Sequence, residues 1–434
     1  TPLYSSAASD VYKRQIAVYC LGVCILWSLL LWLRPLWLLR IHEAMRLLQV
    51  PLPPRLGGLT LPLRWLTFES LFASSNRVLD AWVASRLDRA SENFYERRTI
   101  KDRAIHIQVP AELDADVVGE ITPDLVARRF PARKPCLLIW GEGGVGKTSL
   151  ACQIAKWAMS RDAQKRLGPH LMLPILIEQD VDCGGSATAD PFLEAIRGQL
   201  RVLVGDVGTI SDELFDRLLR RARLLIIVDS SSELSEATRR CIRPASADFA
   251  PSALVVTSRV HESLNEVPKV TIRLLRLASD RLTPFIDAYL RMRGARDRFN
   301  DRDFTALWQR LSQVTAGHDL TVMLAKLFAE LAIASLGRGP DARMPASVPD
   351  LMLRYLNELN RKRSEKDPND RIVHADAKRI AWQCLRETFH PSSAKRSEVL
   401  GALSEAGGLD PESRLTYLED RLLLLETKNA GKEK

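Results

Sequence analysis

Disulfide chemistry has nothing to build on in this sequence. Of its seven cysteines, Cys20 and Cys24 lie in an apolar stretch and Cys136 and Cys152 flank a glycine-rich loop, while Cys183, Cys241 and Cys384 are isolated. No C-x-x-C pair and no cysteine–histidine spacing of the zinc kind occurs, which fits reduced thiols. His106, His170, His261, His318, His374 and His390 are scattered, so no Ser–His–Asp constellation forms. There is no 30–45-residue repeat, which excludes a solenoid. Acidic residues are in deficit, 53 against 62 lysines and arginines, a formal charge of +9. That balance admits nucleic acid, an anionic membrane face or phosphate chemistry. No arginine cluster is interleaved with aromatics, so nucleic acid is not the favoured partner. Apolar residues at 46% and charged ones at 26% exclude a disordered or collagen-like chain. The 434 residues suffice for two or three domains.

What is present begins with an apolar run, Ile16–Leu33, broken only by Gly22 and Ser28. Its length is at the lower end of what crosses a hydrocarbon core of ~30 Å. Trp27, Trp32 and Trp37 suit an aromatic belt, and no small-residue cleavage site follows Leu33. A membrane span is therefore expected; a buried core helix and a piece of a multi-pass region are the competing readings. Arg34, Arg40, Arg46, Arg55 and Arg64 follow the run, which places the bulk of the chain in the cytoplasm. The chain opens on Thr1, and Thr1–Gln15 reads as a non-native leader on a fragment. Leu36–Val50 reads as amphipathic, Pro51–Gly58 as a break, Leu61–Leu87 and Ala90–Arg98 as helices, and Ile105–Val109 as a strand ending at Pro110.

From Pro135 onward strands alternate with helices. Strands are expected at Cys136–Trp140, Leu173–Ile177, Leu224–Val228, Ala253–Val256 and Lys269–Leu274, with helices at Thr148–Met159, Pro191–Val204 and Asp212–Arg221. That alternation predicts an α/β fold, a parallel sheet with helices on both faces. Beyond about residue 278 the pattern is helical: Arg281–Met292, Asp301–Val314, Leu320–Ala334, a break at Gly337–Pro349, then Leu351–Leu359, Asp376–Thr388, Arg396–Ala406 and Arg414–Leu425. Ser347 and Asp350 form a candidate capping box.

The chemistry is concentrated in Gly141-Glu142-Gly143-Gly144-Val145-Gly146-Lys147-Thr148, a full G-x-x-x-x-G-K-[ST] between a strand and a helix. Its glycines let backbone N–H groups curl round phosphates, and the helix that begins at Lys147 points its positive end at them. Lys147 is expected to reach the β- and γ-phosphates, with Ser149 completing the binding segment, and Thr148 to ligate magnesium. Asp229 ends an apolar strand and is read as the second magnesium partner, against an N-cap. Glu233 is either the group that polarises the attacking water or a surface carboxylate. Thr257 or Arg259, at the end of Val255–Arg259, is a candidate γ-phosphate sensor, against an arginine paired to a surface acid. The catalytic set expected is Asp229, Glu233 and Arg259. The cofactors are ATP/ADP, preferred over GTP for want of an N/T-K-x-D motif, and Mg2+.

The order GEGGVGKTSL, LLIIVDSSSEL, LVVTSR and then helices resembles the NACHT branch of the STAND-class NTPases, relatives of AAA+ ATPases. The resemblance spans about residues 115–425. It implies a P-loop NTPase core at 115–278, a helical arm at 279–345 and a winged-helix-like domain at 346–434. Ahead of these stand a leader at 1–15, a transmembrane helix at 16–33 and a connector at 34–114. The family's D-G-x-D-E is here Asp229-Ser-Ser-Ser-Glu233, which implies slow or altered hydrolysis. Its Gly-x-Pro turn is here Gly317-His-Asp-Leu320, and its β-phosphate histidine near the end of the winged helix has no placed counterpart. The resemblance implies a membrane-tethered, self-associating switch. The alternatives are an AAA+-like remodelling ATPase and a nucleotide-bound scaffold without turnover.

Overall fold

The computed structural model describes residues 3–45, 48–51, 60–63, 67–101, 103, 105–129, 136–181, 190–205, 210–315, 319–335, 345, 347–360, 367–387, 389, 392–405, 410–422 and 424–425. Cys183, Gly317, His318, His390, Arg46, Arg55 and Arg64, and most of the breaks expected at 51–58 and 337–349, lie outside these residues.

Short apolar runs with turn signals at their ends form the main sheet: β1 (Ala111–Leu113), β2 (Asp116–Val118), β3 (Cys136–Trp140), β4 (Leu173–Ile177), β5 (Leu224–Val228), β6 (Leu254–Ser258) and β7 (Val270–Leu274). Their order is β2-β1-β7-β3-β6-β5-β4. From β7 to β4 neighbours run parallel, whereas β1 is antiparallel to both β2 and β7. β4, β5 and β6 are buried along their whole length, as strands covered on both faces must be. The register sets Trp140 beside Ser258 and Val228 beside Val256, so the ends of β3, β6 and β5 come level.

Local signals define the covering helices. In α6 (Pro191–Val204), Asp190 accepts from the Phe192 N–H, proline opens the helix and Gly205 closes it in the left-handed region. The helix α5 (Lys147–Ala158) buries Leu150, Ile154 and Trp157 beneath the sheet. One apolar core runs from Leu79 through the sheet to helices α8 (Ser279–Met292), α9 (Asp301–Thr315) and α10 (Val322–Ser335). Helices α11 (Val348–Leu359), α12 (Asp370–Leu385), α13 (Arg396–Ser404) and α14 (Pro411–Thr416) surround a second, smaller core with Val373, Ile380 and Leu403. Ser347 caps α11 through the Asp350 N–H at 3.3 Å. The helix expected at Arg414–Leu425 is instead α14 followed by a wider π turn at Tyr417–Arg421.

Ile105–Val109 is not a strand. It runs unpaired toward Pro110, which has no N–H to give a ladder, and the strand begins only at Ala111. Thr60–Pro62 pairs with Gln49–Pro51 as a small hairpin instead of opening a helix. The two helices expected between Leu61 and Arg98 are α3 (Glu69–Ala73) and one unbroken α4 (Asn76–Glu96).

The apolar run forms the second half of α1 (Leu3–Leu33). Lys13–Leu33, 21 residues, is long and apolar enough to cross a membrane. Its Ile16, Val18, Leu21, Ile25 and Leu29 are exposed. One residue near its end is not: Trp27 is buried with Leu38 and Val78, and its Nε1 donates to Thr67 O at 2.7 Å. Arg77 donates to the carbonyls of Leu31 and Trp32 at 3.1 and 3.2 Å. The following helix α2 (Pro35–Met45) carries His42 into a clasp. Its Nδ1 meets Glu69 Oε2 and its Nε2 meets Glu213 Oε2, both at 2.9 Å. Glu213 belongs to α7 (Asp212–Arg220), whose Arg217 donates to Ala73 O at 3.1 Å. Arg223, just beyond α7, pairs with Asp80 of α4 at 2.8 Å.

The hydrogen bond to Glu69 raises the His42 pKa against the opposing effect of burial, and Glu213 adds to the rise. A raised folded-state pKa means stability that is full below the usual ~6.5 and lost as pH climbs through the higher value. His42→Ala strands the fully buried Glu69, at a cost of about 3 kcal/mol. In urea unfolding, the gap between wild type and His42→Ala is expected to be widest near pH 6 and to narrow at alkaline pH.

Candidate functional site

The loop between β3 and α5 adopts backbone angles that few residues tolerate. Gly141 has φ +144° and Gly144 φ +79°. A Cβ at Gly141 would sit 3.0 Å from Leu274 O, and one at Gly144 would sit 3.0 Å from Met323 Cβ. Val145 turns inward and is buried, while Gly143 is open. Gly146, also at positive φ, is the cap from which α5 starts. The helix therefore opens at Lys147 with its N–H groups facing the concave side of the loop.

Lys147 is buried, and its Nζ donates to Gly141 O at 2.8 Å and Glu142 O at 2.7 Å. Burial lowers its pKa, as does the Arg259 charge, while Asp229, Glu233 and Glu142 counter them. The ammonium is thus satisfied by weak backbone acceptors that a charged oxygen can replace. Glu142 pairs outward with Arg276 at 2.6 Å. Ser149 lies on the first turn of α5, against the cleft described below.

Thr148 Oγ1 lies 2.9 Å from each carboxylate oxygen of Asp229. Asp229 follows β5, and its N–H donates to Ile177 O at 2.9 Å. The intervening strand β6 supplies Thr257, fully buried, whose hydroxyl donates to Asp229 Oδ1 at 2.6 Å. Thr257 Oγ1 in turn accepts from the Ser230 N–H at 2.7 Å. Thr257 therefore orients the carboxylate and does not face outward as a sensor. A hydroxyl and a carboxylate, both hard oxygen donors, fit Mg2+, which takes one or two protein ligands and completes its shell from phosphate and water. Among the described residues no cluster of three or more His, Cys, Asp or Glu is poised to hold a metal by protein ligands alone.

Arg259 and Glu233, expected separately, are brought together: Arg259 Nε donates to Glu233 Oε1 at 2.7 Å. Both act on the Lys147 charge, so all three belong to one electrostatic neighbourhood. Glu178, just past β4, is a strand-end acid that sequence reasoning missed. Burial raises its pKa and the Asp229 charge adds to the rise, while a Thr99 hydrogen bond opposes it.

Also missed is a narrow cleft on the other side of the loop, lined by Ile105, His106, Val145, Leu150, Val322 and Lys326. Burial, with Lys156 and Lys326 nearby, lowers His106 to about 4, so its imidazole is neutral at physiological pH. The unpaired alternation of Ile105, Ile107 and Val109 was the only trace of this cleft in the sequence. The N-terminus of α10 closes against the loop: the Met323 N–H donates to Gly144 O at 2.9 Å, and Leu320 bridges Leu277 with bonds of 2.7 and 3.0 Å. Burial raises Cys136 to about 11 and Cys152 to about 12, so neither is a thiolate nucleophile.

No protein-family model matches this chain, and no curated protein does. Among solved structures it is similar to a Thermotoga maritima RuvB variant, at 15% identity and a TM-score of 0.32, over 70% of this chain and 84% of that one. It is also similar to closed-state Hsp104 with ATPγS and casein, at 12% identity and a TM-score of 0.32, over 61% of this chain and 45% of that one.

Gly144→Ala combines positive φ with the Met323 contact and is expected to destabilise the fold by about 1–2 kcal/mol, read as a lower urea midpoint. An unchanged midpoint would mean that neither the positive φ nor the Met323 contact constrains this position.

Proposed function

We propose that this chain is an ATP-binding switch of the NACHT type, with slow hydrolysis. One observation carries the reading: Thr148 at the start of α5 meets Asp229, steadied by Thr257, beside a glycine loop that encloses Lys147. On this reading the loop N–H groups and Lys147 hold the phosphates. Mg2+, held by Thr148 and Asp229, would neutralise phosphate charge. Contacts from α10 to Gly144 make the arm responsive to the state of the loop, the two-state element that nucleotide would bias. α8–α10 correspond to the family's helical arm and α11–α14 to its winged-helix-like domain. Self-association follows from the resemblance.

Glu233 is engaged by Arg259 and so is not free to polarise an attacking water, which accounts for slow hydrolysis. That pair favours, as a second reading, a nucleotide-bound scaffold without turnover. Steady-state ATPase measured against bound-nucleotide content separates the two. For binding itself, ATP or ADP is expected to co-purify with the chain. Lys147→Ala is expected to weaken Mg-ATP affinity by about 10- to 100-fold, the worth of one or more charge-assisted hydrogen bonds. A wild-type chain that holds no nucleotide and binds neither ATP nor ADP at millimolar levels sinks the proposal.

The second half of α1 is proposed as a membrane anchor, with the sheet on the cytoplasmic side. Its exposed apolar surface and the basic Arg34 and Arg40 beyond it support this. Leu21→Arg with Ile25→Arg adds about 3 kcal/mol per site to insertion and is expected to move the chain from the membrane pellet to the soluble fraction. Recovery of wild type in the soluble fraction without detergent would remove the anchor.

A further inference from the structure

Arg259 and Glu233 stand in the turns that follow neighbouring strands, β6 and β5. Two bonds stitch these turns together: Arg259 Nε to Glu233 Oε1 at 2.7 Å, and the Arg259 N–H to Ser232 Oγ at 3.1 Å. The backbone bond fixes where the arginine starts, and the side-chain bond fixes where its charge points. The two side chains are 34% and 33% exposed, so the pair can be reached from solution and is weak enough to exchange. Lys147, on the inner side, lies within the influence of both charges. An anion drawn to Lys147 therefore arrives where the Arg259 guanidinium is already committed to a carboxylate.

We propose that Glu233 and the terminal phosphate of a bound nucleoside triphosphate compete for the Arg259 guanidinium. This rests on reading Gly141–Thr148 as a triphosphate site. With a diphosphate or no ligand, Arg259 stays on Glu233. With a triphosphate, the arginine changes partner and the carboxylate is released toward solvent. The ion pair thus sets the preference between triphosphate and diphosphate: triphosphate binding must break it, and diphosphate binding leaves it whole. Arg259 thus has two partners that correspond to two ligand states.

The test measures affinity for ADP and for the non-hydrolysable β,γ-imido analogue of ATP, by competition with a fluorescent nucleotide on the full chain in detergent. Glu233→Gln is expected to tighten the imido analogue about fivefold, the worth of an exposed ion pair, and to leave ADP within about twofold. Arg259→Gln is expected to weaken the imido analogue about tenfold and spare ADP, with Arg259→Lys recovering part of the loss. In the Arg259→Gln background, Glu233→Gln is expected to change neither affinity. Unchanged ADP affinity also shows that each variant is folded. Equal tightening by Glu233→Gln with and without Arg259 is a general charge effect and overturns the proposal. So does a Glu233→Gln chain with unaltered or weaker affinity for the imido analogue. A wild-type chain that binds neither nucleotide fails differently: it removes the reading of the loop, and the competition with it.

Discussion

The carboxylate of Asp229 is the point on which the arrangement turns. It ends β5, takes a hydrogen bond from Thr257 on β6 and another from Thr148, which opens the helix after β3. Two strands and the first turn of a helix are thereby fixed relative to one buried charge. The charge is tolerated because hydroxyls and the positive end of α5 face it. Without those hydroxyls the charge would lose the hydrogen bonds that offset its burial, and the level alignment of the strand ends would lose its polar tie.

The same alignment explains the crowding at the edge of the sheet. Parallel strands bring all their carboxyl ends to one side, so the turns after β3, β5 and β6 share a small volume. Lys147, Asp229, Glu233 and Arg259 collect there through topology, although they span more than a hundred residues of sequence. The N-terminal helices contribute differently. They fasten to the flank of the sheet through His42, Arg217 and Arg223, away from the carboxyl ends of the strands.

Much of the core was legible from the residues. The strands β3, β4 and β5 fall where their apolar runs lie, because a run of five such residues between turn signals has few other uses. The glycine loop was equally plain, since its angles demand glycine at fixed positions. What escaped were features created by register and by distant contacts. Thr257 lies within β6, whereas Arg259 is the first residue beyond its end, so the sequence does not show how the two side chains divide their partners. Only the pairing of β6 with β5 shows that one reaches Asp229 and the other Glu233. His42 falls within the amphipathic stretch Leu36–Val50, and the acids that clasp it are 27 and 171 residues away. Ile105–Val109 has the alternation of a strand and none of its partners, because it serves as a wall.

The bond from Met323 to Gly144 places the first turn of α10 against the phosphate loop. α10 has 14 residues, so it extends about 21 Å from that contact. A rigid rod of that length magnifies rotation: tilting it ~10° about its near end carries the far end ~4 Å. Ser335, where the rod ends, is the point from which the chain runs on toward α11. On the proposed reading as a switch, a tilt of that size at the glycine loop would move the far end of α10 by about the diameter of an atom.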